Sequence, residues 1–388
     1  MNPYLLGLHK KKNLILIGGG HSHVTVIQQL AKKPESGLQI TLVSENAYTP
    51  YSGMLPGLIA GHYSFDDCHI DLRRLCQWAG IRFICSTVKQ LDPEEKKIIC
   101  HQHPSLSYDL LSINTGSRPR QQTIDGALQH GCAVKPINIF LNHWRQWLNS
   151  ATAKNQTYHI VMIGGGAAGV EVLLAIHYHL YNTSNIRADF TLITSDKSIL
   201  SAHNTHVQNF FSQHLKRLGI KIISNQKVTA ITPHQLLLAN GQILTVDFAT
   251  LAIDAGAQPW LAESGLLCDN KGFIQVNQYL RSISHPDIFA VGDCAAFTPS
   301  PLPKAGVYAV RQGPILTNNL IATLTGRSLR PFKPQHRFLS ILATGGRHAV
   351  ASRGALFAAG KWVWYWKNHI DRKFMARFNP TTKDRQEQ

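Results

Sequence analysis

Two glycine triplets stand where apolar strands run out, with spacings suited to holding phosphate. The first reads Leu14-Ile15-Leu16-Ile17-Gly18-Gly19-Gly20-His21-Ser22-His23. The second reads His159-Ile160-Val161-Met162-Ile163-Gly164-Gly165-Gly166-Ala167-Ala168-Gly169-Val170-Glu171. In each, residues after the triplet open a helix, so free backbone N–H groups and a helix N-terminus face a pyrophosphate. One such turn is a weak signal. Two predict two nucleotides held side by side, an arrangement that serves electron transfer from a nicotinamide to a flavin. A third apolar strand, Ile288-Phe289-Ala290-Val291, runs into Gly292-Asp293 far from both turns.

This set resembles the two-nucleotide flavoprotein reductases of the pyridine nucleotide-disulfide oxidoreductase superfamily, over about residues 14 to 320. The resemblance implies FAD on the first turn, through Gly18, Gly20 and His21, and NAD(P)H on the second, through Gly164, Gly166, Gly169 and Glu171. It also implies that Gly292-Asp293 returns to the first domain, where the Asp293 carboxylate bonds the flavin's ribityl hydroxyls. Ile113-Asn114-Thr115-Gly116-Ser117-Arg118-Pro119 and Ile253-Asp254-Ala255-Gly256-Ala257-Gln258-Pro259 are similar to the superfamily's crossovers. Thr115 and Gly116 then belong to the FAD side and Gly256 to the NAD(P)H side.

Departures from the fingerprint are informative. His23 replaces the third glycine of the first turn, a position that normally permits close helix–strand packing. Either the helix sits differently or the imidazole points away. After the second strand, Ser44 takes the ribose position and Glu45 follows it; Glu45 is the preferred ribose ligand, with Ser44 as the alternative. After the second turn the matching strand ends Thr194-Ser195-Asp196-Lys197. Asp196 favours NADH, whereas Lys197 is able to meet the 2′-phosphate of NADPH.

These elements predict an α/β protein with two Rossmann-like nucleotide-binding domains, each a three-layer ββα/αβα unit, plus a C-terminal module. Residues 1–125 and 275–330 form the discontinuous FAD domain, 126–274 the NAD(P)H domain and 331–388 the module. Trp144 and Trp147 mark a packed helix in the linking segment, and Asn240-Gly241 a hairpin. No apolar signal core precedes Lys10-Lys11-Lys12, and seven scattered cysteines fit a reducing compartment. The expected location is cytoplasmic, peripheral to the membrane's cytoplasmic face if the tail binds it. His21-Ser22-His23 is read as a turn variation, and no metal site is expected.

There is no CxxC or CxxxxC pair, and Cys68 and Cys132 would meet only through the fold. Electrons therefore leave the flavin directly, to a quinone or another small acceptor. Thr49-Pro50-Tyr51-Ser52-Gly53-Met54-Leu55-Pro56-Gly57 resembles the loop beside the isoalloxazine in type II NADH dehydrogenases. Lys304 to Gly313 is similar to their quinone-side helix, which places Lys304 and Gln312 on the acceptor side. More narrowly, Gly18 to His23, Thr49 to His62 and His69-Ile70-Asp71-Leu72 look like a branch found alone or joined to a selenide, water dikinase. No kinase-like segment is present.

Net charge is +17, and the last 62 residues carry 13 basic against three acidic side chains. There, Lys361 to Phe378 reads as an amphipathic helix whose Trp362, Trp366, Ile370, Phe374 and Phe378 form one apolar stripe, flanked by Lys367, Arg372, Lys373 and Arg377. An aromatic stripe with basic flanks suits an anionic membrane surface; packing on the body or in a homodimer is the alternative. With no binding motif beside the charge, nucleic acid is not an expected partner. On the membrane reading, truncation before Lys361 leaves both nucleotide domains complete. Two other functions stay open. One is a soluble flavin reductase for a small selenium or sulfur acceptor. The other is a nucleotide-sensing protein without turnover, which His23, Ser44 and Thr194 would fit.

Overall fold

The computed structural model describes residues 11–151, 156–335 and 337–379. The reading of residues 1–10, and the charges at Lys383 and Arg385, lie outside the described residues.

The continuous apolar run Leu14–Ile17 is buried on both faces, as a strand inside a parallel sheet must be. It lies at the centre of five parallel strands, in the order 288–290, 110–113, 12–17, 38–44, 82–85. The strand 157–163 is likewise central, in the order 131–133, 248–251, 157–163, 187–193, 221–223, again all parallel. Each unit adds a three-stranded antiparallel meander, at 88–107 and at 228–245. Both glycine turns therefore sit at the carboxyl ends of central strands, where open α/β sheets bind ligands. Between the units, Arg118–Pro119 pairs antiparallel with Ala255–Gly256. The helix Ile137–Ala151 buries Trp144, stacked on Trp147.

The strand Ile288–Ala290 joins the first sheet beside Leu110–Ile113 and carries Gly292-Asp293 to its edge. From there the chain enters the long helix Gly306–Thr325, closed by Gly326 in the left-handed conformation. This helix packs on His21–Lys32 closely enough that a Cβ on Gly313 would lie 2.8 Å from the Cβ of Thr25. The Ser22 hydroxyl donates to the Ala309 carbonyl at 2.6 Å across the same contact.

Residues 340–360 form an antiparallel three-stranded sheet that leads into the helix Lys361–Ala376. The single stripe read from the sequence divides here. Trp362, Trp366 and Ile370 are 59%, 40% and 38% exposed, while Phe374 and Phe378 are 8% and 1% exposed and join the first unit's core. Val363, Trp364 and Met375 are buried with them. The helix thus covers the body with one face and leaves an aromatic ridge on another. Truncation before Lys361 would remove core, contrary to the sequence expectation. Lys367, read as a flanking charge, is buried instead. No helix among the described residues is long and apolar enough to cross a membrane.

Candidate functional site

The first turn needs its glycines for two different reasons. Gly18 has φ +91°, and a Cβ there would lie 2.4 Å from the Asn114 carbonyl oxygen. At Gly20 a Cβ would lie 2.2 Å from Asn114 Oδ1. That Oδ1 is buried without a hydrogen-bond partner, while the same side chain's amide donates to Val291 O at 2.8 Å. A bare backbone edge, a helix N-terminus and an unpartnered acceptor thus face one cleft. Its lining runs from Ser44 and Glu45 past Gly18, Gly20 and His21 to Pro50, Thr115, Gly116 and Asp293. Ser44 is buried at the strand end and Glu45 is exposed, so Glu45 offers this end of the cleft a solvent-accessible carboxylate.

His23 does not reach that cleft. Its ring is wholly buried between helix and sheet, with Nδ1 2.7 Å from Gly18 O and Nε2 2.8 Å from Ser112 Oγ. With Nδ1–H donating to the carbonyl, Nε2 accepts from the serine hydroxyl. Burial lowers its pKa to about 4, against the weaker opposing effect of the Gly18 carbonyl. Burial likewise lowers His21 to about 4, although Asp293 opposes it.

Gly292 has φ +69°, and its N–H donates to Gln312 Oε1 at 2.6 Å. Gln312 therefore fastens the Gly-Asp turn from the long helix; it lines neither the first cleft nor the second, described next. Asp293 accepts from Lys135 Nζ at 2.8 Å and from Ser117 Oγ at 3.3 Å. Burial pushes its carboxyl up, but Lys135, Lys304 and the Ser117 hydroxyl together hold it below the usual range. Lys304 points elsewhere than the acceptor-side reading placed it. Its ammonium donates to Ala295 O at 2.6 Å and sits 3.6 Å from the Phe273 ring centroid.

A second cleft, of about 630 Å³, opens between the Tyr51–Pro56 loop, the start of the Gly306–Thr325 helix and the C-terminal helix. It shares Ser52 and Gly306 with the first cleft, so the two are contiguous. Glu171 lies here, not at the second turn's phosphate edge, because the helix begun at Ala167 turns position 171 toward the C-terminal sheet. Its carboxylate accepts the Ala343 N–H at 2.7 Å. Burial raises Glu171 to about 7, with Lys367 and that N–H opposing. Lys367 pairs with Asp371 at 2.6 Å and donates to Gly53 O; Tyr51 hydrogen-bonds Asp371 and stacks on Phe374. This group, with Lys367 and Asp371 buried and Glu171 and Tyr51 half-buried, has no motif to announce it, since it assembles from three distant segments.

A third cleft lies between Ala168, Leu251–Ala255, Ser117–Pro119 and Lys304. Ala168, two residues past Gly166, lines both this cleft and the second. Gly164 has φ +119°, and a Cβ on Gly166 would meet no atom within 4 Å, leaving the space a pyrophosphate needs. A Cβ on Gly169 would lie 2.0 Å from Gly164 O. Thr194 is buried beneath the turn and Gly256 lies in the crossover ribbon, so neither faces these clefts. All seven cysteines are free, and none lines the three clefts. Cys68 and Cys132 pack in different cores. Among the described residues no group of side chains is arranged to hold a metal.

Two parallel-sheet units, each with a glycine turn at the end of its central strand, and a Gly-Asp strand returned to the first, define a two-nucleotide oxidoreductase. The family described as pyridine nucleotide-disulphide oxidoreductase matches residues 12–313, and the chain belongs to it. It is an FAD-dependent enzyme with a nicotinamide co-substrate. The chain is 22% identical to a type II NADH:quinone oxidoreductase of Staphylococcus epidermidis, over 94% of this chain and 95% of that protein. Its fold is shared with the sulfide:quinone oxidoreductase of Aquifex aeolicus (TM-score 0.80, 21% identity, covering 95% and 91%). It is shared equally with NDH2 from Plasmodium falciparum in complex with NADH (TM-score 0.79, 17% identity, covering 95% and 97%).

Proposed function

We propose that the chain passes electrons from a nicotinamide through FAD to a quinone-like acceptor in the second cleft, without a redox disulfide. Hydride acceptance and electron release are the chemistry bound FAD supplies. This chain's residues would do the rest. Gly18, Gly20, Asn114 and Asp293 grip FAD, and Gly164 and Gly166 admit the nicotinamide nucleotide. NADH is favoured over NADPH by the acid at Asp196. The carrying observation is the acceptor cleft itself: it adjoins the flavin cleft, contains a carboxyl at Glu171 titrating near neutrality, and has no cysteine in its lining. A two-electron acceptor that becomes a quinol also needs two protons, which Glu171 with the Tyr51–Asp371–Lys367 group would handle.

Ile370 lines this cleft and also belongs to the exposed ridge with Trp362 and Trp366. That continuity supports an acceptor entering from an anionic membrane surface on which the ridge rests. The second reading, a small sulfur or selenium acceptor, draws support from the fold shared with the sulfide:quinone oxidoreductase. Anaerobic reduction of the purified flavoprotein by NADH, followed by a screen of acceptors, separates them. Rapid reoxidation by a quinone and none by polysulfide or selenium compounds is the expected result; the reverse order overturns the quinone reading.

A further inference from the structure

No motif marks Lys135, yet it alone among the described residues lines all three clefts. It follows the strand Gly131–Ala133, which belongs to the second sheet. Its partner Asp293 follows Ile288–Ala290, which belongs to the first. The 2.8 Å ion pair therefore crosses from one nucleotide-binding unit to the other. Lys135 and Ser117 both bond Oδ2 of Asp293, which leaves the lone pairs of Oδ1 for a ligand hydroxyl. The two ends differ in solvation: the Asp293 side chain is 13% exposed and that of Lys135 43%. A partly open ammonium beside a nearly closed carboxylate fixes the carboxylate's direction and keeps positive charge at the cleft junction. A pyrophosphate or a reduced flavin bound in these clefts would bring negative charge, and a nearby fixed cation would lower the energy of either.

We propose that Lys135 is the positioning residue of the redox centre, pinning the Asp293 carboxylate across the two units and supplying positive charge where the flavin, nicotinamide and acceptor clefts meet. This rests on the reading that FAD fills the first cleft. The pair is half-solvated, so its removal falls between the effects of surface and buried pairs.

The test uses the FAD-loaded full chain and its Lys135→Met, Lys135→Arg and Asp293→Asn variants, with the Lys135→Met/Asp293→Asn double variant. FAD dissociation constants and the midpoint potential of the bound flavin are measured, with thermal unfolding of each apoprotein alongside. Lys135→Met is expected to weaken FAD about tenfold and to move the potential negative. Lys135→Arg should recover most of both. In the Asp293→Asn background, Lys135→Met should cost less than about threefold in FAD affinity, because its partner is already neutral. Should the Met variant fail to fold, Lys135→Gln, which keeps length and polarity, carries the same expectations. Wild-type affinity and potential in the neutral variant would overturn the proposal, as would an Arg variant no better than Met. A wild-type chain that binds no FAD overturns the flavin reading as well, whereas FAD binding with an unmoved neutral variant overturns only the role of Lys135.

Discussion

At the second glycine turn a Cβ on residue 169 would stand 2.0 Å from the Gly164 carbonyl oxygen; at the matching place in the first turn stands His23, wholly buried. The two turns share strand, triplet and helix, so the difference isolates what the third glycine is for. In the second unit the helix lies directly on the turn, and only a hydrogen fits between them. In the first unit an imidazole occupies that layer and bonds both Gly18 and Ser112. Close approach is moved to the helix's other side, where Gly313 admits Thr25. The third glycine is a packing requirement of one helix position and not a condition for holding phosphate. His23 is accordingly no sign of a lost nucleotide site.

Exchanging the residues should break both turns, in opposite ways. Gly169→His drives a side chain into backbone, with a cost of at least about 3 kcal/mol. Soluble yield and the denaturant midpoint are expected to collapse. His23→Gly opens a cavity and strands the Ser112 hydroxyl and the Gly18 carbonyl, for about 3 kcal/mol in urea unfolding. A Gly169→His protein as stable as wild type would end the comparison. The pH dependence has a definite sign. The unfolded chain takes up a histidine proton near 6.5, while buried His23 refuses it until about 4. Stability is therefore lost as pH falls through that window, and His23→Gly should flatten part of the slope.

Within the second turn, Gly166 and Gly169 make a sharper pair. A Cβ at Gly166 meets nothing, so Gly166→Val should fold normally and retain FAD. Its side chain would stand where the nicotinamide nucleotide's pyrophosphate belongs. Flavin reduction by NADH should slow about 100-fold or more, while dithionite still bleaches the flavin. Unchanged NADH kinetics would remove the nicotinamide from this turn.

Local signals made most of the architecture legible. Apolar runs ending in glycine located both central strands, and Gly292-Asp293 announced the strand that returns to the first sheet. Side-chain direction was less accessible, because it depends on what a helix packs against. Glu171 reads as part of the nucleotide fingerprint, but its helix presents it to Ala343 and Lys367. Lys304 and Gln312 read as acceptor-side residues, yet one turns to Phe273 and the other braces Gly292. Lys135 gave no signal because its importance arises only where three clefts converge. The C-terminal stripe divides for a related reason: every-fourth-residue spacing drifts around a 3.6-residue helix, so its late members reach the buried side.

Glu171 provides a test in the second cleft, which no turn glycine lines. Protonated below about pH 7, it can donate there, so reoxidation by a quinone should slow as pH rises through 7. Glu171→Gln should remove that inflection and lower the rate at pH 6 about tenfold. This is smaller than the ~100-fold of a sole proton donor, since Tyr51, Asp371 and Lys367 remain. Stability carries the matching sign. A raised carboxyl disfavours the folded state as pH climbs from about 4.5 to 7, and glutamine should abolish that loss.

The smallest effect on the fold is expected at the ridge. Trp362→Ser with Trp366→Ser alters two exposed side chains and should change stability by no more than about 0.5 kcal/mol. Phe374→Ala, on the buried face, should cost about 3–5 kcal/mol. The ridge variant is expected to keep its FAD and its reduction by NADH, but to lose binding to anionic liposomes. It should also become slow with a long-chain quinone in those liposomes while staying fast with a water-soluble one. Each nearby basic residue contributes about 1 kcal/mol at an anionic surface, so wild-type binding should weaken as salt rises. Undiminished liposome binding would move the membrane contact away from the helix. A wild-type dimer that the double substitution converts to monomer would make a second copy of the chain, not a bilayer, the ridge's partner.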